Sequence, residues 1–75
     1  MPNYCVNKNA QPQSGDHEVH DVDIERPCLP AASNRIPLGW HANCHGAVAE
    51  AKRRYPQQSA SIDGCYHCAN DCHTK

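Results

Sequence analysis

The end of the chain carries a dense group of metal-ligand residues. Cys65 and Cys68 form a Cys-x2-Cys pair, and Cys72 and His73 follow shortly afterwards. Two thiolates at this spacing in a tight turn can face one ion, and zinc takes four Cys or His ligands in a tetrahedron. The pair is therefore half of a zinc site, and the other two ligands must come from elsewhere in the chain.

Two sets of residues could complete this site. His20 and Cys28 would make a His-Cys-Cys-Cys site that links distant parts of the chain and so stabilises the fold. Cys72 and His73 would make a local site, but neighbouring side chains diverge, and packing or capping of a last helical turn is the more typical role for them. We favour the first set, with zinc as a structural cofactor. The predicted metal ligands are His20, Cys28, Cys65 and Cys68.

Disulfides are the main alternative for these cysteines. Six cysteines allow 15 connectivities, and none can be chosen from sequence. The N-terminal residues contain no apolar run of the signal-peptide type, so we expect a cytoplasmic protein, in which thiols stay reduced. That expectation favours metal over disulfides. Cys44 is expected to be a small buried hydrophobe, and Cys5 a strand residue without chemistry.

The composition indicates a fold that needs such a cross-link. The chain has 75 residues, which suits one small metal-binding domain over residues 1–75. It contains only nine Leu, Ile and Val residues and no Phe, and a core this small is usually held by a metal or by disulfides. The net charge of −1 disfavours nucleic-acid binding, and no apolar run is long enough to span a membrane.

Alternating apolar residues predict two or three short strands. Strands are expected over Asn3–Val6 and over His17–Ile24, the second with a bulge or an early end near Asp21. A third strand, of the edge type, is expected over Arg35–Trp40, because Pro37 lacks the donor that a central strand needs. Two prolines flank Cys28-Leu29, which predicts a rigid loop that presents one thiol.

One helix is predicted after these strands. Asn43 is a good N-cap residue, Pro56 ends the helix, and Ile62–Gly64 is expected to turn the chain into the cysteine cluster. The helix has an apolar stripe at i, i+3, i+4, i+7 and i+11, formed by Cys44, Ala47, Val48, Ala51 and Tyr55. The fold class predicted is α+β: a small two- or three-stranded antiparallel sheet with one helix, cross-linked by zinc.

Two resemblances to known proteins follow from these motifs. The segments Asp16-His17-Glu18-Val19-His20, Cys28-Leu29-Pro30 and Gly64-Cys65-Tyr66-x-Cys68-x3-Cys72-His73 resemble a family of small uncharacterised bacterial Cys/His-rich proteins, over nearly the whole chain. More loosely, the order His20, Cys28, helix, Cys65-x2-Cys68 is similar to the metal-binding domain of Ada-type DNA alkyl-phosphotriester repair proteins, which also split their ligands between an early pair and a later Cys-x2-Cys. Ada-type domains have Cys at the early positions and a basic DNA-binding surface, whereas this chain has His20 and no basic excess. The resemblance implies the ligand layout more than a role in DNA repair.

The function expected is that of a zinc-stabilised binding module. The sequence contains no set of nucleophile, base and orienting residue, so we do not expect an enzyme. A protein is the favoured partner. The candidate contact residues are Trp40, Lys52, Arg53, Arg54 and Tyr55. Two alternatives are an Ada-like zinc-thiolate that accepts an alkyl group or senses oxidants, and a nucleic-acid-binding module.

Overall fold

The protein folds as a four-stranded mixed sheet with an α-helix packed against it. The computed structural model describes residues 3–12, 15–24 and 27–74. The strands and the helix of this part of the chain are β1 (Asn3–Asn7), β2 (His17–Asp21), β3 (Arg35–Trp40), α1 (Cys44–Arg54) and β4 (Ile62–Gly64). Short 3-10 helices lie between them at Val22–Ile24, Ala32–Asn34 and Pro56–Ser61, and another follows β4 at Asn70–Cys72. The predicted α+β class is confirmed.

The strand order in the sheet is β3-β1-β2-β4. Strand β1 pairs antiparallel with both neighbours, and β2 pairs parallel with β4. The prediction of two or three strands was therefore one strand short, and the sheet is not purely antiparallel. The missed strand is Ile62–Gly64, which the sequence indicated as a turn because Asp and Gly are depleted in strands. Its parallel pairing requires a long crossover, and β3 and α1 lie within that connection.

Strand β2 ends at Asp21, as its imperfect alternation predicted. The Asp21 carboxylate oxygen Oδ1 accepts a hydrogen bond from the backbone amide of Asp23 at 3.0 Å, which turns the chain into the first 3-10 helix. Strand β3 occupies a sheet edge, as expected from Pro37, and its pairing with β1 is irregular opposite Tyr4 and Cys5. Gly39 lies at this irregularity with a φ of +82°, a conformation that glycine adopts without steric cost.

Helix α1 begins and ends where the sequence predicted. The side chain of Asn43 accepts hydrogen bonds from the amides of His45 and Gly46, at 3.0 and 3.3 Å. At the other end Tyr55 closes the last turn by donating its amide to the Ala51 carbonyl at 3.0 Å, and Pro56 follows. Alanines on the buried face of the helix allow its backbone to lie close to the sheet.

The core is small and rich in sulfur. The buried aliphatic residues are Val6, Val19, Leu38 and Ile62, with alanines from the helix and the tail. Five of the buried residues are cysteines: Cys5, Cys44, Cys65, Cys68 and Cys72. Because so much of the interior is cysteine, the state of the sulfur atoms decides how well this core holds together. Within the described residues, no helix is long and apolar enough to cross a membrane.

A disulfide joins Cys44 at the start of α1 to Cys72 in the last 3-10 helix. The two Cα atoms lie 6.1 Å apart, and the residues are 28 positions apart in sequence. Cys44 is buried as predicted, and Cys72 packs into the core from the last 3-10 helix, which agrees with the packing role given to it. The bond between them was not predicted. Both side chains are buried, but they are also covalently linked. No short spacing connects them, so the local pattern gave no signal of the bond.

Candidate metal centre

His20 lies at the middle of the sheet and is completely buried. It stands opposite Cys5 in the pairing of β2 with β1. Burial lowers its pKa from 6.5 to about 4, and the positive charge of Arg35 acts in the same direction. The imidazole is therefore neutral at pH 7, which is the form that binds metal ions.

One ring nitrogen of His20 contacts a cysteine sulfur, and the other has no hydrogen-bond partner among the described residues. They are Nδ1, which lies 3.4 Å from Cys68 Sγ, and Nε2, respectively. Zinc bond lengths of about 2.3 Å to sulfur and 2.0 Å to nitrogen put those ligand atoms roughly 3.5 Å apart in a tetrahedron. The spacing of His20 and Cys68 agrees with that value, so this contact suits two ligands of one ion.

Strand β4, which pairs with β2, places the Cys-x2-Cys pair close to His20. The amide of Cys65 donates to the Val19 carbonyl at 2.9 Å, which continues the alignment of β4 with β2. The Cys65 carbonyl then accepts from the Ala69 amide at 2.9 Å, so the two thiols project from a closed turn. Cys65 and Cys68 are both buried. The parallel strand that the sequence did not reveal is thus what aligns the pair with β2.

Cys28 completes the group from a loop. Pro27 and Pro30 flank the Cys28-Leu29 pair, and the Pro30 carbonyl accepts a hydrogen bond of 2.8 Å from Arg35 Nε. This bond ties the loop to β3. Cys28 is half-buried, whereas the other three members of the group are buried. The ligand atoms of His20, Cys28, Cys65 and Cys68 all lie within 4.8 Å of one another.

Burial raises the pKa of two of the thiols, Cys28 and Cys68. For Cys68, the Asp21 backbone amide opposes this rise in pKa, and Cys28 and Cys65 add to it. A divalent cation among the sulfur atoms would reverse this balance, because metal binding favours thiolates and releases their protons. Three sulfurs and a neutral imidazole form a donor set that suits zinc.

The structure brings together the four residues that the sequence singled out and separates the competing set. Cys72 is bonded to Cys44, and His73 Nδ1 lies 3.1 Å from the Gly64 carbonyl and 3.3 Å from Asp63 Oδ2. Cys72 and His73 are therefore not grouped with Cys65 and Cys68. The four-residue group could hold a metal ion. That it binds zinc stays a prediction.

A second group that could hold a metal was not predicted. It consists of Cys44, His45 and Cys72, whose ligand atoms also lie within 4.8 Å of one another. His45 is exposed, whereas Cys44 and Cys72 are buried. The group escaped notice because it depends on the contact between α1 and the tail, which no local spacing reveals.

The candidate partner-contact residues lie in three environments. Trp40, the only tryptophan of the chain, is the last residue of β3, and 61 % of its surface is exposed. Lys52, Arg53 and Arg54 are exposed in the last turn of α1, where both arginines bind the Glu50 carboxylate at 2.6 Å. Tyr55 is half-buried and packs against the core. Trp40 and the three basic residues are exposed, and Tyr55 is partly exposed. Their role in binding a partner stays a prediction.

Comparison with protein-family models, with curated proteins and with solved structures finds no match. The functional interpretation of the chain therefore rests on the geometry of its sites.

Proposed function

We propose that the protein is a small binding module whose fold is stabilised by one structural zinc ion. The observation that carries this proposal is the convergence of His20, Cys28, Cys65 and Cys68 from three separate parts of the chain. A metal held by these residues joins β2, the loop before β3 and the segment after β4. That cross-link compensates for a core with few aliphatic side chains.

The zinc would be structural because the protein supplies all four ligands. Catalytic zinc sites keep one position open for water or substrate, and a four-ligand site leaves none. On this proposal the protein is not an enzyme and acts through its surface.

Metal titration with matched cysteine variants tests the centre. Cys5 is buried and unpaired like Cys65, but it lies outside the group of four. Purified without reductant, wild type and Cys5→Ser should each bind one zinc ion per chain. Cys28→Ser should bind zinc much more weakly than the wild type does. The loss in zinc affinity should exceed the roughly 10- to 100-fold that follows when a residue hydrogen-bonded to a metal ligand is removed. Equal affinities for the two variants would contradict the assignment.

The partner proposed is another protein, contacted through Trp40 and the basic end of α1. A tryptophan with most of its surface exposed is unusual, and such residues are enriched among binding hot spots. The formal net charge of −1 argues against nucleic acid, which is bound by domains with a basic excess.

A binding comparison between two exposed aromatic residues tests this surface. Trp40→Ala should lose protein partners that the wild type retains, whereas Tyr66→Ala should keep them. Tyr66 is the matched control because it is similarly exposed but lies at the tail, where it contacts His67 and His73. Retention of nucleic acid that falls steeply with salt would instead support the nucleic-acid alternative. Identical partners for both variants would contradict the choice of Trp40.

Partial exposure of Cys28 favours a second candidate function, alkyl acceptance at a zinc-bound thiolate. The thiolate would attack an electrophilic carbon, form a carbon–sulfur bond and release the leaving group with its electron pair. Treatment with a methylating reagent should then add one methyl group to Cys28 in the zinc-loaded protein and none in Cys28→Ser. Equal labelling of Cys28 and the buried thiols would exclude this function.

A further inference from the structure

The disulfide between α1 and the tail lies beside a third metal-ligand residue. Cys44 and His45 are the first two residues of α1, and Cys72 ends the last 3-10 helix. Neighbouring side chains generally diverge, but the ligand atoms of Cys44 and His45, together with that of Cys72, lie within 4.8 Å of one another. We propose that reduction of the Cys44–Cys72 disulfide opens a second metal site, in which both thiolates and His45 bind one thiophilic divalent ion.

The backbone around this site is fixed independently of the disulfide. Asn43 accepts hydrogen bonds from the amides of His45 and Gly46, so the first turn of α1 has a defined geometry that presents Cys44 and His45. The helix N-terminus also favours negative charge on a nearby sulfur. Reduction therefore leaves Cys44 and His45 in place as ligands.

Gly64 holds Cys72 in position from the other side. A Cβ atom at Gly64 would lie 2.6 Å from the Cβ of Cys72 and 2.7 Å from the Ala69 carbonyl oxygen. This close approach seats the last 3-10 helix on β4. Cys72 stays near Cys44 because of this packing, even when the covalent bond is absent.

A cavity borders one residue of this group. Its volume is about 320 Å³, and its lining includes Cys44, His67, Asn70 and Asp71, but neither His45 nor Cys72. A small reductant can approach Cys44 from this side. Three protein ligands with an open fourth position are typical of reactive zinc sites, in contrast to the four-ligand centre.

The chemistry requires an external dithiol and a metal ion. The dithiol gives two electrons and two protons to the Cys44–Cys72 bond and leaves as its own cyclic disulfide. The sulfur–sulfur bond breaks, and each cysteine becomes a thiol. The ion then displaces both thiol protons to solvent, and it forms two metal–sulfur bonds and one metal–nitrogen bond with the His45 imidazole. The redox state of the pair thus sets whether the chain carries one ion or two.

Counting bound zinc by native mass spectrometry tests this proposal. The protein is compared as purified without reductant and after treatment with a dithiol that is removed under nitrogen. Oxidised wild type should bind one zinc ion and reduced wild type two. At the zinc concentration that fills both sites of the reduced wild type, reduced His45→Ala should bind only one zinc ion. Because His45 is exposed, its replacement leaves the buried packing of the fold intact.

His67→Ala is the matched control. His67 is also exposed and lines the same cavity, but it is not a member of the group. The reduced His67→Ala variant should bind two zinc ions, like the wild type. A reduced wild type that binds no more zinc than the oxidised wild type, or a reduced His45→Ala that binds as much zinc as the reduced wild type, would overturn the second site.

Cys28→Ser separates this proposal from the zinc centre proposed above. If both sites exist, this variant should bind no zinc tightly when oxidised and one ion when reduced. If the four-ligand centre does not exist, oxidised wild type binds no zinc and only the reduced-state ion appears. If the second site does not exist, reduction adds no ion to any variant.

Discussion

Removal of the Cys44–Cys72 disulfide should cost this protein a large part of its stability. The double variant Cys44→Ala/Cys72→Ala deletes the bond without leaving a free thiol. In the native protein the bond closes a loop between two residues 28 positions apart, which restricts the unfolded chain. Without it, the unfolded ensemble gains conformational entropy, and the free energy of unfolding falls.

The magnitude follows from the length of that loop. For 28 positions the chain-entropy relation gives about 12 cal/mol/K, or about 3.6 kcal/mol at 25 °C. A domain of this size typically has a total stability of roughly 5 to 15 kcal/mol. The melting temperature should therefore fall by roughly 15 to 30 °C, given about 4 to 8 °C per kcal/mol for a chain of this length.

Urea denaturation, followed by circular dichroism with one equivalent of zinc present, measures the effect. Cys5→Ala is the matched control, because Cys5 is buried and unpaired and its replacement removes only a sulfur atom, at a cost of about 1 kcal/mol. A double variant that loses no more than twice the loss of Cys5→Ala would refute the reasoning. It would show that the bond does not restrict the unfolded chain.

Three further changes have definite expected results. Gly64→Ala should lower the free energy of unfolding by about 1 to 3 kcal/mol in urea, because its Cβ would overlap the Cβ of Cys72; unchanged stability would contradict that packing. The hydrogen bond from Arg53 lowers the pKa of Glu50 from 4.5 to about 2. The pair should therefore stabilise the helix above pH 4.5 and lose this effect as the pH falls through 2. A Glu50 pKa near 4.5 in an NMR titration would contradict the pairing. Trp40→Ala should change thermal stability by less than about 0.5 kcal/mol, because the side chain is mostly exposed; a large loss would indicate that it packs in the core.

Local signals made much of the fold predictable. The N-cap at Asn43, the apolar stripe and the stop at Pro56 define a helix within one stretch of chain, and the structure confirms it. The edge position of β3 followed from Pro37, and the early end of β2 followed from its interrupted alternation. Each of these features depends on residues that are close in sequence, so the pattern alone carries the information.

Contacts between distant segments account for what was missed. Two of the three residues of β4, Asp63 and Gly64, have little strand preference, yet the strand pairs parallel with β2. The Asp63 carboxylate accepts hydrogen bonds of 3.0 Å from the amide and the hydroxyl of Thr74, a contact that depends on the tail. The partner of Cys44 could not be found either, because the bond depends on how the tail packs on α1. The Cys65-x2-Cys68 pair was visible as a local spacing, while its grouping with His20 and Cys28 required a choice between two sets.

The central claim is that His20, Cys28, Cys65 and Cys68 hold one zinc ion. X-ray absorption spectroscopy of the oxidised protein with one equivalent of zinc tests it most directly, because the disulfide then keeps Cys44 and Cys72 out of the coordination sphere. The account predicts three sulfur ligands at about 2.3 Å and one nitrogen at about 2.0 Å. A different ligand set, or a protein that retains no zinc and carries a Cys65–Cys68 disulfide, would contradict it.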